Sequence, residues 1–555
     1  MKPHPLRLLQ ISALLLLGAG FYWPLLSFLS GNNPLHPEES FLQWKFFKEF
    51  LSDPWNLRVI GFSLYQAFLS ALLSILVGLP GAWLLTNYNF PGKRWFRLLT
   101  YLPFILPSIL VVLAMVLFYG NNGWINRGLM TILGTDEPQV HFLYSLTGIL
   151  IAHVFYNFPL AMKIIGDQWE RISLKYHHAA SSLGVGNMRR FFGITLPLLM
   201  PSIGSAFVLI FLLCMNSFAI ILVLGGGIRY TTIEVLFYQL ARIELDFSGA
   251  ASLAFLQGGL SLIGMAIMLK GRDRRVDQES ASKSWLPEKL RNRSMKAWFG
   301  LCWILLVLIF ALGPLFAILM DSFRKFEHGE WIYTWYWYSE LFTWRENNYF
   351  LSSLWNSLRI GLGSALISSI SGLGLVSIIA YRKGVKRRFW EMLTLFPIAL
   401  STVVFGVAWF HFYQGHLAGT VPLIFVVMAM HALLTCPYWI RIVLPTLESI
   451  PLQWHIESKM LGKQPLEYGV RILWPWLSKT FLIAFFFSFS LSLGELNSTM
   501  MIADETVRTL PLEIYGAISG YRFSYASAVA VILLILSVST FLLVERSIGF
   551  FGRLK

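Results

Sequence analysis

The sequence predicts an all-α integral membrane protein of twelve transmembrane helices arranged as two parallel six-helix repeats. Three observations carry this. Of 555 residues, 56% are hydrophobic and only 13% charged, about half the charged share of an ordinary soluble domain. Twelve mostly apolar segments reach the length of roughly 20 residues that a helix needs to cross the hydrocarbon core. The two halves also repeat the same residues at fixed displacements.

The first apolar segment, 8–30, follows Lys2 and Arg7. It is too long for a signal-peptide core and has no A-x-A cleavage site, so it is read as a retained first span. The next five spans are expected over 59–86, 98–119, 147–165, 203–224 and 250–269. The second six are expected over 297–320, 358–380, 393–412, 421–443, 480–503 and 526–543. Cys214, Cys302 and Cys436 all fall inside apolar runs without metal-ligand spacing, which makes them packing residues and predicts no metal site.

The formal charge of +15 would suggest a polyanion partner in a soluble chain. Its location argues otherwise. With the N-terminus inside, the inside loops hold Lys93, Arg94 and Arg97, then Arg171, Lys175, Arg189 and Arg190, and the cluster Arg382, Lys383, Lys386, Arg387 and Arg388. The stretch 271–296 is also inside, with eight Lys or Arg against four acids. The first outside loop is mixed. The basic excess is therefore the positive-inside bias of a multi-pass protein, with both termini cytoplasmic and the lipid bilayer, not nucleic acid, as its surroundings. Trp331, Trp335, Trp337 and Trp344 fall outside just before a span, where an interfacial aromatic belt is favoured over a ligand-stacking surface.

The repeat is visible residue by residue. Ser63, Ser70 and Pro103 match Ser357, Ser364 and Pro397 at a displacement of 294. His153 and Pro159 match His431 and Pro437 at 278, and Thr232, Tyr238 and Ala251 match Thr509, Tyr515 and Ala528 at 277. The large change falls where the first half has a long outside loop and the second a short one. This divides the chain into a first six-helix unit over 1–270, a basic linker over 271–296 and a second unit over 297–555. An even number of spans per copy makes the copies parallel, with a pathway expected between them.

The inside loop between the fourth and fifth spans reads His178-Ala179-Ala180-Ser181-Ser182-Leu183-Gly184, with Ile194 and Pro197 further on. Its counterpart reads Ile456-Glu457-Ser458-Lys459-Met460-Leu461-Gly462, with Ile472 and Pro475. The glycine-to-proline spacing is 13 in both. A glycine supplies a left-handed helix stop and a proline suits the start of the next helix, so each loop predicts a short helix lying outside the bilayer. An ordinary amphipathic interfacial helix is the alternative, but it does not explain the duplicated spacing.

These loops resemble the EAA signature, E-A-A-x-x-x-G-x9-I-x-L-P, of the membrane subunits of binding-protein-dependent ABC importers. Two departures stand out: the usual glutamate is His178 in one copy and Ile456 in the other, although Glu457 follows at once. The double-length arrangement, the string from Gly148 to Ala161, Leu224-Gly225-Gly226-Gly227 with Thr231 to Glu234, and Arg508-Thr509-Leu510-Pro511 with Tyr515 are similar to the thiamine permease branch. Gly494-Glu495-Leu496-Asn497-Ser498-Thr499 is closer to the ferric-iron permease branch. The resemblance implies the type I ABC importer permease fold in a bacterial inner membrane. It implies two copies of an ABC ATPase subunit seated on the two loops, and a periplasmic or lipid-anchored solute-binding protein. The expected solute is thiamine or a related cationic small molecule, else ferric iron. ATP and Mg would sit on the ATPase; this chain would bind no cofactor, and it contains no G-x-x-x-x-G-K-[ST] loop.

Polar groups at membrane depth usually face a bundle interior or a pathway. His153, Asn157, Asn216, Ser217, His411, His431, Glu495 and Asn497 are the candidates. Glu495, placed inside the eleventh span, is the candidate contact for a cationic solute, with a hydrogen bond to a neighbouring helix as the alternative. His153 and His431 each precede a proline by six residues, a symmetry that points to satisfying backbone groups freed by the proline. A twelve-span carrier driven by an ion gradient would share the six-plus-six pattern, but has no reason to contain the paired glycine-to-proline loops. An intramembrane enzyme lacks H-E-x-x-H, paired aspartates or G-x-S-x-G, and no catalytic residue is assigned.

Overall fold

The computed structural model describes residues 4–552 apart from 34–35, 41–43, 173, 274–287, 290–294, 344–348, 381 and 463–464. Among these residues, eleven helices are long and apolar enough to cross a membrane, or up to twelve if the bent pair Gly384–Ile398 and Thr402–His416 counts as one. Most of the linker 271–296, and Trp344, lie outside the described residues.

The contacts fall into two compact units. One comprises Leu51–Leu236 with Leu256–Asp321, and the other Met1–Phe50 and Phe237–Phe255 with Ser322–Lys555. These packing units are a different division from the sequence repeats, because the opening helix of each repeat is built into the unit formed mainly by the other repeat. In the first unit the second span, Pro54–Asn87, packs along the fourth, Leu146–Trp169, and Met295–Asp321 packs on the helices of the third span. In the second unit Phe350–Ala380 packs along Leu423–Glu448, and the first span, Arg7–Leu29, joins it there. Gln10 Nε2 donates to Ser377 Oγ at 3.1 Å, and Tyr22 OH to the Leu393 carbonyl at 2.6 Å.

One small residue sets the close approach in each unit. A Cβ on Gly78 would lie 2.9 Å from Met162 N, and one on Gly372 would lie 2.4 Å from Trp439 Cγ. The two glycines are 294 residues apart. Small residues at matched positions let the second span approach the backbone of the fourth, and let the eighth receive the Trp439 side chain of the tenth.

The third and ninth spans differ from expectation in the same way. Each is broken: helix Lys93–Ile105 gives way to Ser108–Tyr119, and Gly384–Ala399 to Thr402–His416, the latter pair bent by 88°. Leu106 and Leu400, again 294 apart, are both extended, with ψ of 144° and 145°. The means differ. Pro107 forces the residue before it out of the helical region. In the second copy Ser401 caps the new helix, its Oγ accepting from Val403 N at 3.1 Å and Val404 N at 3.3 Å.

The fifth and eleventh spans are displaced toward the N-terminus. They run Met188–Met215 and Gly469–Leu493, and each contains a π-helical stretch, Phe191–Thr195 or Gly469–Leu473. Pro197 and Pro475 follow that stretch within a continuous helix instead of opening it. A wider turn relieves the clash between a proline ring and the carbonyl four residues earlier. Past these spans the chain breaks at Asn216–Phe218 and Gly494–Leu496 before the short helices Ala219–Leu224 and Asn497–Ile502.

One repeat match shifts. Leu245 and Tyr521 carry the same left-handed turn, with φ of 56° and 57°, at a displacement of 276 rather than 277. The π-helical stretch Gln239–Glu244 in the first copy, where the second runs as regular helix Leu510–Ser519, takes up the residue. Ala251 and Ala528 are therefore not equivalent; Ala250 and Ala526 are.

Candidate functional site

The loop between the fourth and fifth spans begins with helix Leu174–Ser182. Its end is a Schellman motif: Val185 N donates to the Ala180 carbonyl at 3.0 Å, and Gly184 N to the Ser181 carbonyl at 3.0 Å. Gly184 has φ of +69°, a conformation an L side chain adopts at a cost. The counterpart helix Leu452–Met460 stops at Gly462, with φ of +68°. An added Cβ at either glycine meets nothing within 4 Å, so the requirement is conformational, not steric.

Among the described side chains, each helix buries one small residue. Ala180 and Ser458, at matched positions, are both 4% accessible. Ala179 and Glu457 are exposed, as are Pro197 and Pro475, while Ile194 and Ile472 are half-buried. The His178 side chain lies outside the described residues. Leu183 and Leu461, each just before the glycine, are 81% and 75% exposed. The second loop also forms a groove of about 640 Å³ lined by Trp454, Glu457, Ser458, Leu461, Arg471 and Trp476. Trp454 stands edge-on to Trp476 at 5.2 Å, and Arg471 pairs with Glu467 at 3.2 Å.

Ion pairs tie the ends of the fourth and tenth spans, where the loops begin, to the helices that precede the breaks. Arg97 reaches Glu170 at 3.5 Å, and Arg387 reaches Glu448 at 2.7 Å. Glu170 and Glu448 are equivalent positions at the ends of the fourth and tenth spans. Half-exposed pairs of this kind hold geometry more than they add stability, at roughly 0–1 kcal/mol each. Beside Arg97, burial and that neighbouring positive charge lower the Lys93 ammonium pKa, against the opposing pull of Glu170. Its Nζ donates to the Tyr88 carbonyl at 2.9 Å.

Within the helices, the two repeat-related histidines each sit between two hydroxyls, although the hydroxyls are not at matched positions. His153, 1% accessible, has Nδ1 2.9 Å from Ser70 Oγ and Nε2 2.9 Å from Ser217 Oγ. His431, also 1% accessible, has Nδ1 2.8 Å from Ser492 Oγ and Nε2 2.8 Å from Thr499 Oγ1. The rings point sideways to hydroxyls on neighbouring segments, so they do not serve backbone groups freed by Pro159 and Pro437, as the sequence suggested. The histidine carbonyls instead accept from the side chain one turn on, Asn157 Nδ2 at 2.9 Å and Thr435 Oγ1 at 3.0 Å.

Glu495 is not inside the eleventh span. It sits in the break, where its Oε1 accepts from Ser498 N at 2.9 Å and Ser498 Oγ at 3.0 Å, a local cap on the short helix. Asn497 opens that helix and donates to Thr402 Oγ1 at 3.1 Å. His411 lies edge-on to Phe28 at 6.2 Å.

Several buried polar residues escaped the sequence reading. Ser63 Oγ accepts from Ile233 N at 2.9 Å, and Ser357 Oγ from Leu510 N at 2.8 Å, one bond made twice at repeat-related positions. Gln66, Glu234 and Gln257 are 0%, 0% and 1% accessible. Glu234 stands in one of the permease-like strings, which was the available signal. The aromatic segment forms a hairpin of Arg324–Glu327 and Glu330–Tyr333. Arg324 stacks on Trp331 at 4.2 Å, and Trp335 is 71% exposed.

The chain thus combines a duplicated helical membrane fold with two repeat-related, glycine-stopped loop helices. Residues 71–278 match the family described as binding-protein-dependent transport system inner membrane component. The thiamine transport system permease protein ThiP of Brucella abortus (strain 2308) is 28% identical over 499 residues, covering 89% of this chain and 88% of its own. The protein of the same name from Escherichia coli (strain K12) is 28% identical over 507 residues, covering 90% of each. A crystal structure of a bacterial ABC transporter involved in import of the acidic polysaccharide alginate aligns with 46% of this chain and 90% of its own, at 17% identity and a TM-score of 0.38. The family match over 71–278 and the end-to-end similarity to these permeases support a multi-pass transmembrane subunit of an ABC importer. In that class ATP hydrolysis belongs to a separate subunit, and this chain is not itself the enzyme.

Proposed function

We propose that this chain is the translocation subunit for thiamine or a closely related cationic small molecule. The observation that carries the substrate is end-to-end similarity to permeases named for thiamine, covering 88–90% of their length. The solute arrives from an extracytoplasmic binding protein and passes between inward-facing and outward-facing states. Two copies of the ATPase, holding ATP and Mg, close beneath the two loops. In this reading Ala179, Ala180 and Gly184 of one loop, and Glu457, Ser458 and Gly462 of the other, form the docking helices. Exposed Leu183 and Leu461 supply apolar contact, and Glu457 supplies the charge that His178 and Ile456 do not. The loops and both termini face the cytoplasm of a bacterial inner membrane.

The unequal loops support unequal docking, since Glu457 and Ser458 stand in one where Ala179 and Ala180 stand in the other. The deciding experiment is reconstitution of the chain with its ATPase and binding protein in liposomes. ATP-dependent accumulation of thiamine, absent with ferric iron, is expected. Accumulation of iron but not thiamine would overturn the substrate, and uptake driven by an ion gradient without ATP would overturn the mechanism.

A further inference from the structure

The duplication supplies an internal comparison: what both repeats keep serves the shared scaffold, and what one repeat alone carries is free to serve the solute. The kept polar set includes Ser63/Ser357, Ser70/Ser364, His153/His431 and Thr232/Thr509. A second set belongs to the first repeat only. Gln66, Asn157, Asn216, Glu234 and Gln257 are replaced at the equivalent positions by Ile360, Thr435, Gly494, Pro511 and Leu533.

These five do not scatter. They gather around Cys214, at the end of the fifth span, and Asn216, at the start of the break that follows. Gln66 Nε2 donates to the Cys214 carbonyl at 3.1 Å, and Asn157 Nδ2 lies 3.5 Å from Cys214 Sγ. Gln257 Nε2 lies 3.2 Å from Asn216 Oδ1 and donates to the Glu234 carboxylate. The opposite ends of these amides, Gln66 Oε1, Asn157 Oδ1 and Gln257 Oε1, are buried and find no partner among the described residues. Turning the Gln66 or Gln257 amide over would aim its oxygen at a carbonyl or a carboxylate, so the neighbours fix this orientation. Buried acceptors without donors are costly, and here three stand with a carboxylate near the negative end of a helix. The second repeat has one such acceptor of its own, Asn497 Oδ1, but it stands alone there, and the neighbouring carboxylate, Glu495, is folded back on Ser498.

We propose that Gln66, Asn157, Glu234 and Gln257 form a contact site for a positively charged, hydrogen-bond-donating solute, contributed by the first repeat alone. The inference rests on the importer reading and adds where the solute is met and by which half. The site is closed in this structure, and the break at Asn216–Phe218 is the joint whose movement would open it.

The second repeat provides the test variants, because its scaffold already accommodates the replacements: Gln66→Ile, Asn157→Thr and Gln257→Leu. Each would be made in the full chain, assembled with ATPase and binding protein in liposomes, and assayed with thiamine. Thiamine moved per ATP hydrolysed should fall about tenfold, the scale of one lost bond to a charged group, while ATPase stimulation by loaded binding protein persists. Glu234→Gln should reduce transport of thiamine more than of a neutral pyrimidine analogue. If wild-type complexes move no thiamine, the thiamine reading fails whatever the cluster does. If wild-type works and the variants keep their transport ratio within twofold, the cluster holds water and the proposal is overturned. It is equally overturned if transport and ATPase stimulation fall together, or if only the amount of assembled complex falls.

Discussion

At the scale of single residues, the two loop glycines and the two histidines do different work that mutation can separate. Gly184 and Gly462 are held at φ near +70° with open space around them. Replacement by Ala therefore costs backbone strain alone, about 1–2 kcal/mol at each stop. Asn, which tolerates the left-handed region, should cost less. Measured by ATPase retention on the purified permease, Gly184→Ala and Gly462→Ala should each weaken retention, with the Asn variants intermediate. Equal behaviour of Ala and Asn would mean that the helix stop is not what matters. His153→Ala and His431→Ala strand buried hydroxyls on two segments each, which should lower stability by about 1–3 kcal/mol. Thermal unfolding in detergent checks this, and unchanged midpoints would show that the serines and threonines find other partners.

At the scale of elements, close helix approach and helix breaks decide the architecture. Gly78→Ala and Gly372→Ala would each force a methyl into atoms under 3.0 Å away, and overpacking of this kind costs about 1–3 kcal/mol. Both variants should unfold at lower temperature, whereas Gly61→Ala, with nothing within 4 Å, should not. Much of this level was legible in the sequence. The spans, the short loop helices and their left-handed stops follow from apolar length and from Gly184 and Gly462. The break at Pro107 was available from the restriction a proline imposes on its predecessor, but its twin at Ser401 has no such marker. The fifth span was placed too late because Arg189 and Arg190 look like loop. Its apolar run also continues past Asn216 into the next short helix, so hydropathy cannot see the interruption. The π-helical stretches and the one-residue shift they cause have no compositional signal. The first-repeat cluster was half legible: Asn157 and Asn216 were found as polar groups at depth, but Gln66, Glu234 and Gln257 become a group only when folding brings them to Cys214 and Asn216.

At the scale of the whole molecule, the sequence repeat and the packing unit diverge. Displacements between matched residues reveal the copies, yet hydropathy says nothing about partners, so the placing of each opening helix in the unit of the other repeat was not readable. One chain carrying both repeats and both loops should be a complete membrane half of an importer. The most direct test is the native mass of the purified complex formed with its ATPase and solubilised intact from the membrane. The expected composition is one copy of this chain with two ATPase subunits, and Leu183→Glu or Leu461→Glu should remove them unequally. A complex of two copies of this chain with two ATPases, or one that keeps both subunits when both leucines are changed, would contradict it.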